Sequence, residues 1–374
     1  MRSSVEYVES LELFGMELGL DRMRALLREL GDPQERYPAV HVVGTNGKTT
    51  TTLLTAELLG AEGLRVGSYV SPHVTGWSER IRVDGEEADF EAAVARVRPA
   101  AEKLGATQFE VVTAAALAEF AHADVDVAVV EAGLGGRLDA TNVLRSRVVV
   151  LTNVALEHTE HLGRTREAIA GEKLAVVQPD ATVVLGEPEW EDAAREAGAR
   201  DVVVGGRANA ALAVAAAEAF VGRPVDGATA RDFAVAGRLE RRGESPLEIW
   251  DGAHNLAAVG YLLPRLPERG RTWVLVLSIL ADKDVDEMLA AFSAVGTRLV
   301  ATASPHPRAL PPDELARRAE AYFETVEQVA DPVDAIARGR ELAGSDGALL
   351  VSGSLYLLAA VRSVYVPWDA PASG

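Results

Sequence analysis

The 374-residue chain contains no cysteine, which excludes disulfides, thiol catalysis and cysteine-ligated metals and leaves the redox compartment unreadable from cysteine pairing. Positive charge is scarce: 37 basic residues stand against 56 acidic ones, a net charge of −19. That balance disfavours nucleic acid and anionic membrane as general partners, so local positive charge must be placed deliberately. No uninterrupted apolar run approaches membrane-spanning length, and the opening Met1-Arg2-Ser3-Ser4-Val5-Glu6 lacks the apolar core of a secretory signal, so a cytoplasmic location is expected. Internal repeats and low-complexity tracts are also missing. The length exceeds one ordinary core, and 48% hydrophobic residues supply material for two or three domains.

What is present is organised around Val40-His41-Val42-Val43-Gly44-Thr45-Asn46-Gly47-Lys48-Thr49-Thr50, where an apolar strand breaks into a glycine turn and then a helix. Two glycines let successive N–H groups face one centre, Lys48 adds a cation and hydroxyls follow, which suits the β- and γ-phosphates of ATP. Val42 stands at the first glycine position of the full eight-residue Walker pattern, leaving the shorter form Gly-x-x-Gly-Lys-Thr. The alternative is a plain glycine turn with an exposed lysine; the strand-turn-helix context favours phosphate.

Apolar residues at helical spacing over 4–30, stopped by Gly31-Asp32-Pro33, predict a helical lead-in. Thr51 to Leu59 reads as the helix after the phosphate loop, and Arg65–Val70, Val125–Val130 and Val148–Thr152 read as strands. This alternation predicts an α/β fold: a P-loop-type, mainly parallel sheet with ligands beyond the carboxyl ends of its strands. An alanine-rich helix over 208–220 leads to a boundary after which Leu247–Trp250, Trp273–Ile279, Leu299–Ala303 and Ala348–Ser352 read as strands of a smaller, Rossmann-like α/β domain. The expected domains are 1–236 and 237–374, with a disordered tail from Pro367.

Several strand-end loops carry candidate chemistry. Glu131, after the strand 125–130, is placed to hold Mg²⁺ beside a phosphate loop, or simply to cap the glycine turn that follows. His158, in Thr152-Asn153-Val154-Ala155-Leu156-Glu157-His158, reads as a ligand for a second magnesium or as a hydrogen-bonded loop histidine. Lys173, in a helix starting near Thr165, has by position alone the character of an ordinary solvated lysine. Asp251-Gly252-Ala253-His254-Asn255 ends a strand of the smaller domain and is open between a nucleotide contact and an Asx-type turn capping the next helix. Asp282-Lys283-Asp284 has the same standing, and His41, His122 and His306 acquire no role from spacing.

Taken together, these segments resemble the folylpolyglutamate synthase and dihydrofolate synthase family of Mur-ligase-like, ATP-dependent amide ligases. The resemblance rests on Gly44-Thr45-Asn46-Gly47-Lys48, Ser71-Pro72-His73 with Glu79-Arg80-Ile81, Glu131-Ala132-Gly133-Leu134-Gly135-Gly136-Arg137-Leu138-Asp139-Ala140-Thr141-Asn142, His158-Thr159-Glu160, Glu172-Lys173, Gly237-Arg238-Leu239-Glu240, Asp251-Gly252-Ala253-His254-Asn255, Asp282-Lys283-Asp284, Pro307-Arg308-Ala309-Leu310 and Gly353-Ser354-Leu355-Tyr356. Their order runs almost end to end. The chain departs from the family pattern at Thr49-Thr50 after the loop lysine, at Glu157 where aspartate is usual, at Leu256 where proline is usual, and in a shorter stretch between Lys173 and Gly237.

The resemblance implies that Gly44 to Thr50 hold ATP, that Ser71 and Glu131 bind one Mg²⁺ and His158 a second, and that Lys173 is carbamylated, a carboxylate where a cation stood. It implies further that Arg238, Asp251 and His254 complete the nucleotide site, and that the pterin lies against Ser71, Pro72, His73 and Arg80, with Glu157 nearby. The implied reaction transfers the γ-phosphoryl group of ATP to a carboxylate of dihydropteroate or of a reduced folate's terminal glutamate, after which L-glutamate attacks the acyl phosphate. A monomer is expected. The alternative acceptor class is that of a Mur-type ligase on a peptidoglycan precursor, against which Ser71-Pro72-His73 and the lack of an obvious extra N-terminal UDP-binding domain both count; the alternative protein class is a nucleotide-dependent binder, against which Lys48, Glu131, His158 and Lys173 together count.

Overall fold

The computed structural model describes residues 3–11, 19–230, 233–267, 270–362 and 364. The chain divides after Phe233 into two compact units; the expected boundary lay between 236 and 237.

The first unit is built on eight strands: β1 Ala39–Val43, β2 Val66–Tyr69, β3 Ile81–Val83, β4 Glu86–Glu87, β5 Val127–Glu131, β6 Ser146–Leu151, β7 Thr182–Leu185 and β8 Asp201–Val204. They lie in the order β4-β3-β2-β5-β1-β6-β7-β8. Only the β2–β3 and β3–β4 pairs are antiparallel. Strands β1, β2, β5 and β7 are buried along their whole length, because a parallel sheet is covered on both faces and needs apolar side chains on each. The pleat sorts them. Val40 and Val42 of β1 pack with Leu54 and Leu58 of the helix Lys48–Ala61 and with Ala213 and Ala216 of the helix Asn209–Val221. Val43 faces the other way, with Ile169, Ala170 and Leu174 of the helix Arg166–Leu174. From β1 the chain runs out to β2, returns to β5 beside β1, and then crosses to β6 on β1's other edge. A crevice opens at such a reversal, beyond the carboxyl ends of β1, β5 and β6.

The expected helical lead-in is two helices, Ser4–Ser10 and Asp21–Glu29; residues 12–18 lie outside the described part of the chain. The first carries a capping box formed by Ser3 and Glu6 and ends at an extended Leu11. The helix after the phosphate loop starts at Lys48 rather than Thr51, since Gly47, at φ +81°, turns directly into it. Glu131 is the last residue of β5 rather than the first beyond it. Strands β3, β4, β7 and β8 were not foreseen, and the shortened stretch after Lys173 retains two of them. The expected disordered tail from Pro367 lies outside the described residues.

The second unit contains β9 Glu240–Glu244, β10 Leu247–Trp250, β11 Trp273–Leu277, β12 Arg298–Ala301, β13 Thr325–Gln328 and β14 Ala348–Ser352, ordered β13-β12-β11-β14-β10-β9. Only β9 runs antiparallel to its neighbour. Glu248, the one buried carboxylate among the unit's described strand residues, is held by Arg340 Nε and Nη2, at 2.7 and 2.9 Å, and by Trp250 Nε1 at 2.6 Å, which is how a charge is accommodated in a sheet interior.

Candidate active site

The turn after β1 is held by the loop after β6. Gly44 and Gly47 have positive φ, +146° and +81°, and a side chain at Gly44 would strike Thr152 while one at Gly47 would strike Asn209. Thr45 N–H donates to Asn153 O at 3.0 Å and Asn46 N–H to Asn153 Oδ1 at 3.1 Å. In return Thr152 Oγ1 and Asn153 Nδ2 donate to Asn46 O at 2.7 and 2.9 Å, and Ala155 N–H donates to Thr45 Oγ1 at 3.1 Å. The sequence reading turned successive N–H groups of this segment towards one centre; those of Thr45 and Asn46 are used to fix the turn. The amides of the first helical turn from Lys48, which have no intrahelical acceptor, are the donors left for phosphate.

Two lysines converge on the same turn. Lys48 Nζ donates to Gly44 O at 3.1 Å and Thr45 O at 3.2 Å, and Lys173 Nζ to Gly44 O at 2.8 Å. Lys173 is 1% exposed, the opposite of the solvated lysine that its helical position predicts. Its Nζ also meets Glu157 Oε1 at 3.3 Å. Burial, and secondarily the charge of Lys48, push its pKa down to about 8, against the opposing pull of Glu157. The helix that carries it, capped by Thr165 Oγ1, closes on the glycine loop: a Cβ at Gly136 would lie 2.7 Å from Lys173 O and 2.8 Å from Glu172 O. Glycine is needed there for contact between backbones.

Glu131, 2% exposed, accepts from Thr49 Oγ1 and from Ser71 N–H, each at 3.1 Å. A buried carboxylate beside hydroxyls and a phosphate site is a hard-oxygen donor set, the kind that Mg²⁺ prefers. It is the N–H of Ser71 that meets Glu131. Among the described residues no group of three or more histidine and acidic side chains is arranged to hold a metal, so a cation here would draw on Glu131, hydroxyls and phosphate oxygens. His158 is exposed, in the left-handed region at φ +46°, and opens the one-turn helix Thr159–Leu162. Asp139 closes the glycine loop by accepting from Leu134 N at 2.7 Å and Thr141 N at 3.0 Å, and burial raises its pKa. Its neighbour Thr141 is hydrogen-bonded to His41 Nε2 at 2.8 Å. His41 is a core residue.

The Ser71–Arg80 loop is internally crosslinked. Glu79 accepts from Val74 N–H at 3.0 Å, Arg80 Nε donates to His73 Nδ1 at 3.0 Å, and the Arg80 guanidinium lies 4.5 Å over the Trp77 ring, which also sits 4.6 Å from the His73 ring. Burial, with the Arg80 charge, pushes the His73 pKa down to about 4. The loop thus holds the buried Arg80 guanidinium against two rings, with His73 and Trp77 partly exposed. Glu157 lies on Lys173, as described above.

In the second unit Asp251 accepts from Leu239 N–H at 2.8 Å and Ala253 N–H at 2.9 Å, and burial raises its pKa. His254 Nδ1 bonds Gly252 O at 2.8 Å, and Asn255 Oδ1 caps the helix Leu256–Leu262 through Ala258 N–H at 2.8 Å. The Asx-turn reading of this loop therefore describes its local geometry. A side chain at Gly252 would strike the Leu355 side chain first and touch Arg238 Nη1 at 2.7 Å, so the loop's glycine makes room for both. Beyond the strand ends Arg308 pairs with Asp282 at 3.1 Å, and the His306 ring packs 4.1 Å from that of Tyr356. Spacing alone had given His306 no role.

A parallel-sheet nucleotide fold with this lysine-and-carboxylate turn is the architecture of the Mur ligases: residues 42–226 match the Mur ligase middle domain and 237–355 the Mur ligase glutamate ligase domain. The chain is 34% identical to the dihydrofolate synthase/folylpolyglutamate synthase of Mycobacterium tuberculosis, over 92% of this chain and 90% of that protein. Among solved structures, Escherichia coli FolC in complex with DHPP and ADP superposes with a TM-score of 0.87 at 30% identity, covering 97% of each chain. A bifunctional enzyme of the same name with Mn, AMPPNP and L-glutamate bound gives 0.87 at 31%, covering 97% of this chain and 98% of that one. The chain belongs to the dihydrofolate synthase/folylpolyglutamate synthase family, and is an ATP-dependent ligase. Among the described residues no helix is long and apolar enough to cross a membrane.

Proposed function

We propose that this chain joins L-glutamate to the carboxylate of dihydropteroate and to the terminal glutamate of tetrahydrofolate, through an acyl phosphate. The observation that carries the reading is the convergence of Lys48 and Lys173 on Gly44 O, next to a turn whose first-turn amides remain for phosphate. In a chain of net charge −19, the Lys48 ammonium held beside those amides is a placed anion site, and the buried Lys173 reaches the same carbonyl.

Lys48 and the amides from Lys48 onward hold the β- and γ-phosphates of ATP, with Gly44, Thr45, Asn46, Gly47, Thr49 and Thr50 shaping the turn. Ser71, Glu131 and His158 are the residues we assign to magnesium, with the Thr49 hydroxyl beside Glu131. Bound Mg²⁺ would offset negative charge on the phosphates. The acceptor carboxylate oxygen forms a bond to the γ-phosphorus as the bond to ADP breaks, and Lys48 stabilises the charge that is redistributed. The amine nitrogen of glutamate then attacks the activated carbonyl, phosphate leaves with its electron pair, and loss of the amine proton leaves the amide. Arg238, Asp251 and His254 are assigned to ATP, and Ser71, Pro72, His73 and Arg80, with Glu157, to the folate. Lys173, held near pKa 8 by burial, has a larger neutral fraction than a surface lysine, and the neutral amine is the form that adds CO2 to become a carbamate. We further assign a monomer in the cytoplasm, with small-molecule substrates and no nucleic acid or membrane partner.

Purified protein incubated with Mg·ATP and radiolabelled L-glutamate should label both dihydropteroate and tetrahydrofolate. Label entering tetrahydrofolate alone would point to Glu157 as the residue that narrows the acceptor range. No label with either, in protein that binds ATP, would redirect the assignment to a Mur-type ligase with another carboxylate acceptor.

A further inference from the structure

Outside every segment discussed so far, Glu187 lies just past β7 and Gly186, at a strand end like Glu131 on β5. It is 9% exposed. A single oxygen, Oε2, accepts from Val154 N–H at 3.1 Å, Arg166 Nη2 at 3.0 Å and Trp190 Nε1 at 3.0 Å. Arg166 Nε donates to Val154 O at 2.8 Å, and its guanidinium lies 5.1 Å over the Trp190 ring. Both backbone polar groups of Val154 are therefore captured by one ion pair.

Val154 is the centre of the loop that fixes the phosphate turn. Asn153, on one side, binds the amides of Thr45 and Asn46; Ala155, on the other, binds the Thr45 hydroxyl; and Glu157, two residues further, meets Lys173. Arg166 also opens the helix that carries Lys173. One carboxylate thus ties together β7, the loop after β6 and the Lys173 helix. A loop of this kind, without strand or helix hydrogen bonds of its own, needs such outside partners to hold one conformation.

We propose that Glu187 and Arg166 are positioning residues for ATP, clamping Val154 so that Asn153 and Ala155 hold the phosphate turn in its binding shape. The inference rests on the nucleotide reading given above. Glu187 touches neither substrate nor reacting atoms and acts through Val154.

The test uses Glu187→Gln and Arg166→Gln in the full chain, with Glu189→Gln as comparator. Glu189 is the other carboxylate on Arg166, at 2.6 Å, and is 43% exposed. Each clamp variant should raise the Kd for ADP and the KM for ATP about tenfold, the equivalent of the ~1.4 kcal/mol expected of one charge-assisted hydrogen bond, with the KM for glutamate unchanged. A merely structural role would lower the active fraction, and hence apparent kcat, and would leave both KM values alone. Hydrogen exchange of nucleotide-free protein provides the second measurement: the Thr45, Asn46 and Ala155 amides should exchange faster in both clamp variants and not in Glu189→Gln. Unchanged exchange together with unchanged ADP binding overturns the clamp. Failure of the unsubstituted protein to bind ADP would instead overturn the nucleotide reading, and the clamp's role with it.

Discussion

The contact between Gly136 and the Lys173 helix gives the sharpest prediction. In Gly136→Ala the new methyl would sit 2.7 Å from Lys173 O, 2.8 Å from Glu172 O and 3.1 Å from Lys173 Cα, all backbone atoms that no rotamer change can move. Restoring ordinary van der Waals separation requires the helix or the glycine loop to withdraw by roughly 0.5 Å or more. Overpacking of this kind costs about 1–3 kcal/mol, a fall in Tm of several degrees for a unit of this size. The same displacement carries Lys173 Nζ away from Gly44 O, which it meets at 2.8 Å, and misplacement by a sizeable part of an ångström in an active site costs about tenfold or more in kcat. Gly171→Ala supplies the comparison. It lies on the same helix, two residues from Lys173, with nothing within 4 Å of the position where the methyl would go, so it should keep its activity and gain about 0.5–1 kcal/mol from reduced backbone freedom in the unfolded chain. Thermal unfolding and steady-state glutamate ligation of the two variants make the test. A Gly136→Ala protein with unsubstituted Tm and kcat would refute the reasoning, as would a Gly171→Ala protein as impaired as Gly136→Ala.

Glu131→Gln should increase the Mg²⁺ concentration needed for half-maximal ligation by roughly 10- to 100-fold while leaving metal-free folding intact, since Ser71 N–H can still donate to the amide oxygen and the Thr49 hydroxyl, which now donates to the other carboxylate oxygen, can turn to accept from the amide NH2; a metal titration reads it. His41 and His73 are held neutral by burial, with pKa values near 3 and 4 against 6.5 in the unfolded chain. The unfolded state therefore binds more protons, and stability should fall as pH drops from 6.5 through 4. His73→Gln should flatten that decline in urea titrations across the window, and an unchanged slope would count against a buried neutral His73. For Lys173 the folded value near 8 lies below the ordinary 10.5, so the charged amine costs stability fully below pH 8 and the cost fades as pH rises towards 10.5. The Tm difference between Lys173→Met and the unsubstituted protein should then shift in favour of the unsubstituted protein between pH 8 and 10.

Short-range patterns were enough to reveal the alternation of apolar strands with helices, the glycine turn ending in Lys48, and the acids at strand ends, because a buried parallel strand, a helix start and a phosphate-binding turn each impose residue types on neighbours in sequence. The order of the motifs was enough for the family. Burial was not legible. Lys173 has the sequence surroundings of a surface lysine and is enclosed only because Gly136, 37 residues earlier, lets two backbones touch. In the same way, spacing showed nothing of Thr45 and Asn46 giving their amides to Asn153, His41 bonding Thr141, or Glu187 and Arg166 holding Val154. These pairings join residues from 12 to 110 positions apart, brought together where adjacent parallel strands meet the loops and helix that follow them. A strand's own sequence records that it is buried but not which strand lies beside it, so the choice of neighbours, and with it the set of side chains that meet in the crevice, was made by the order of the folded sheet.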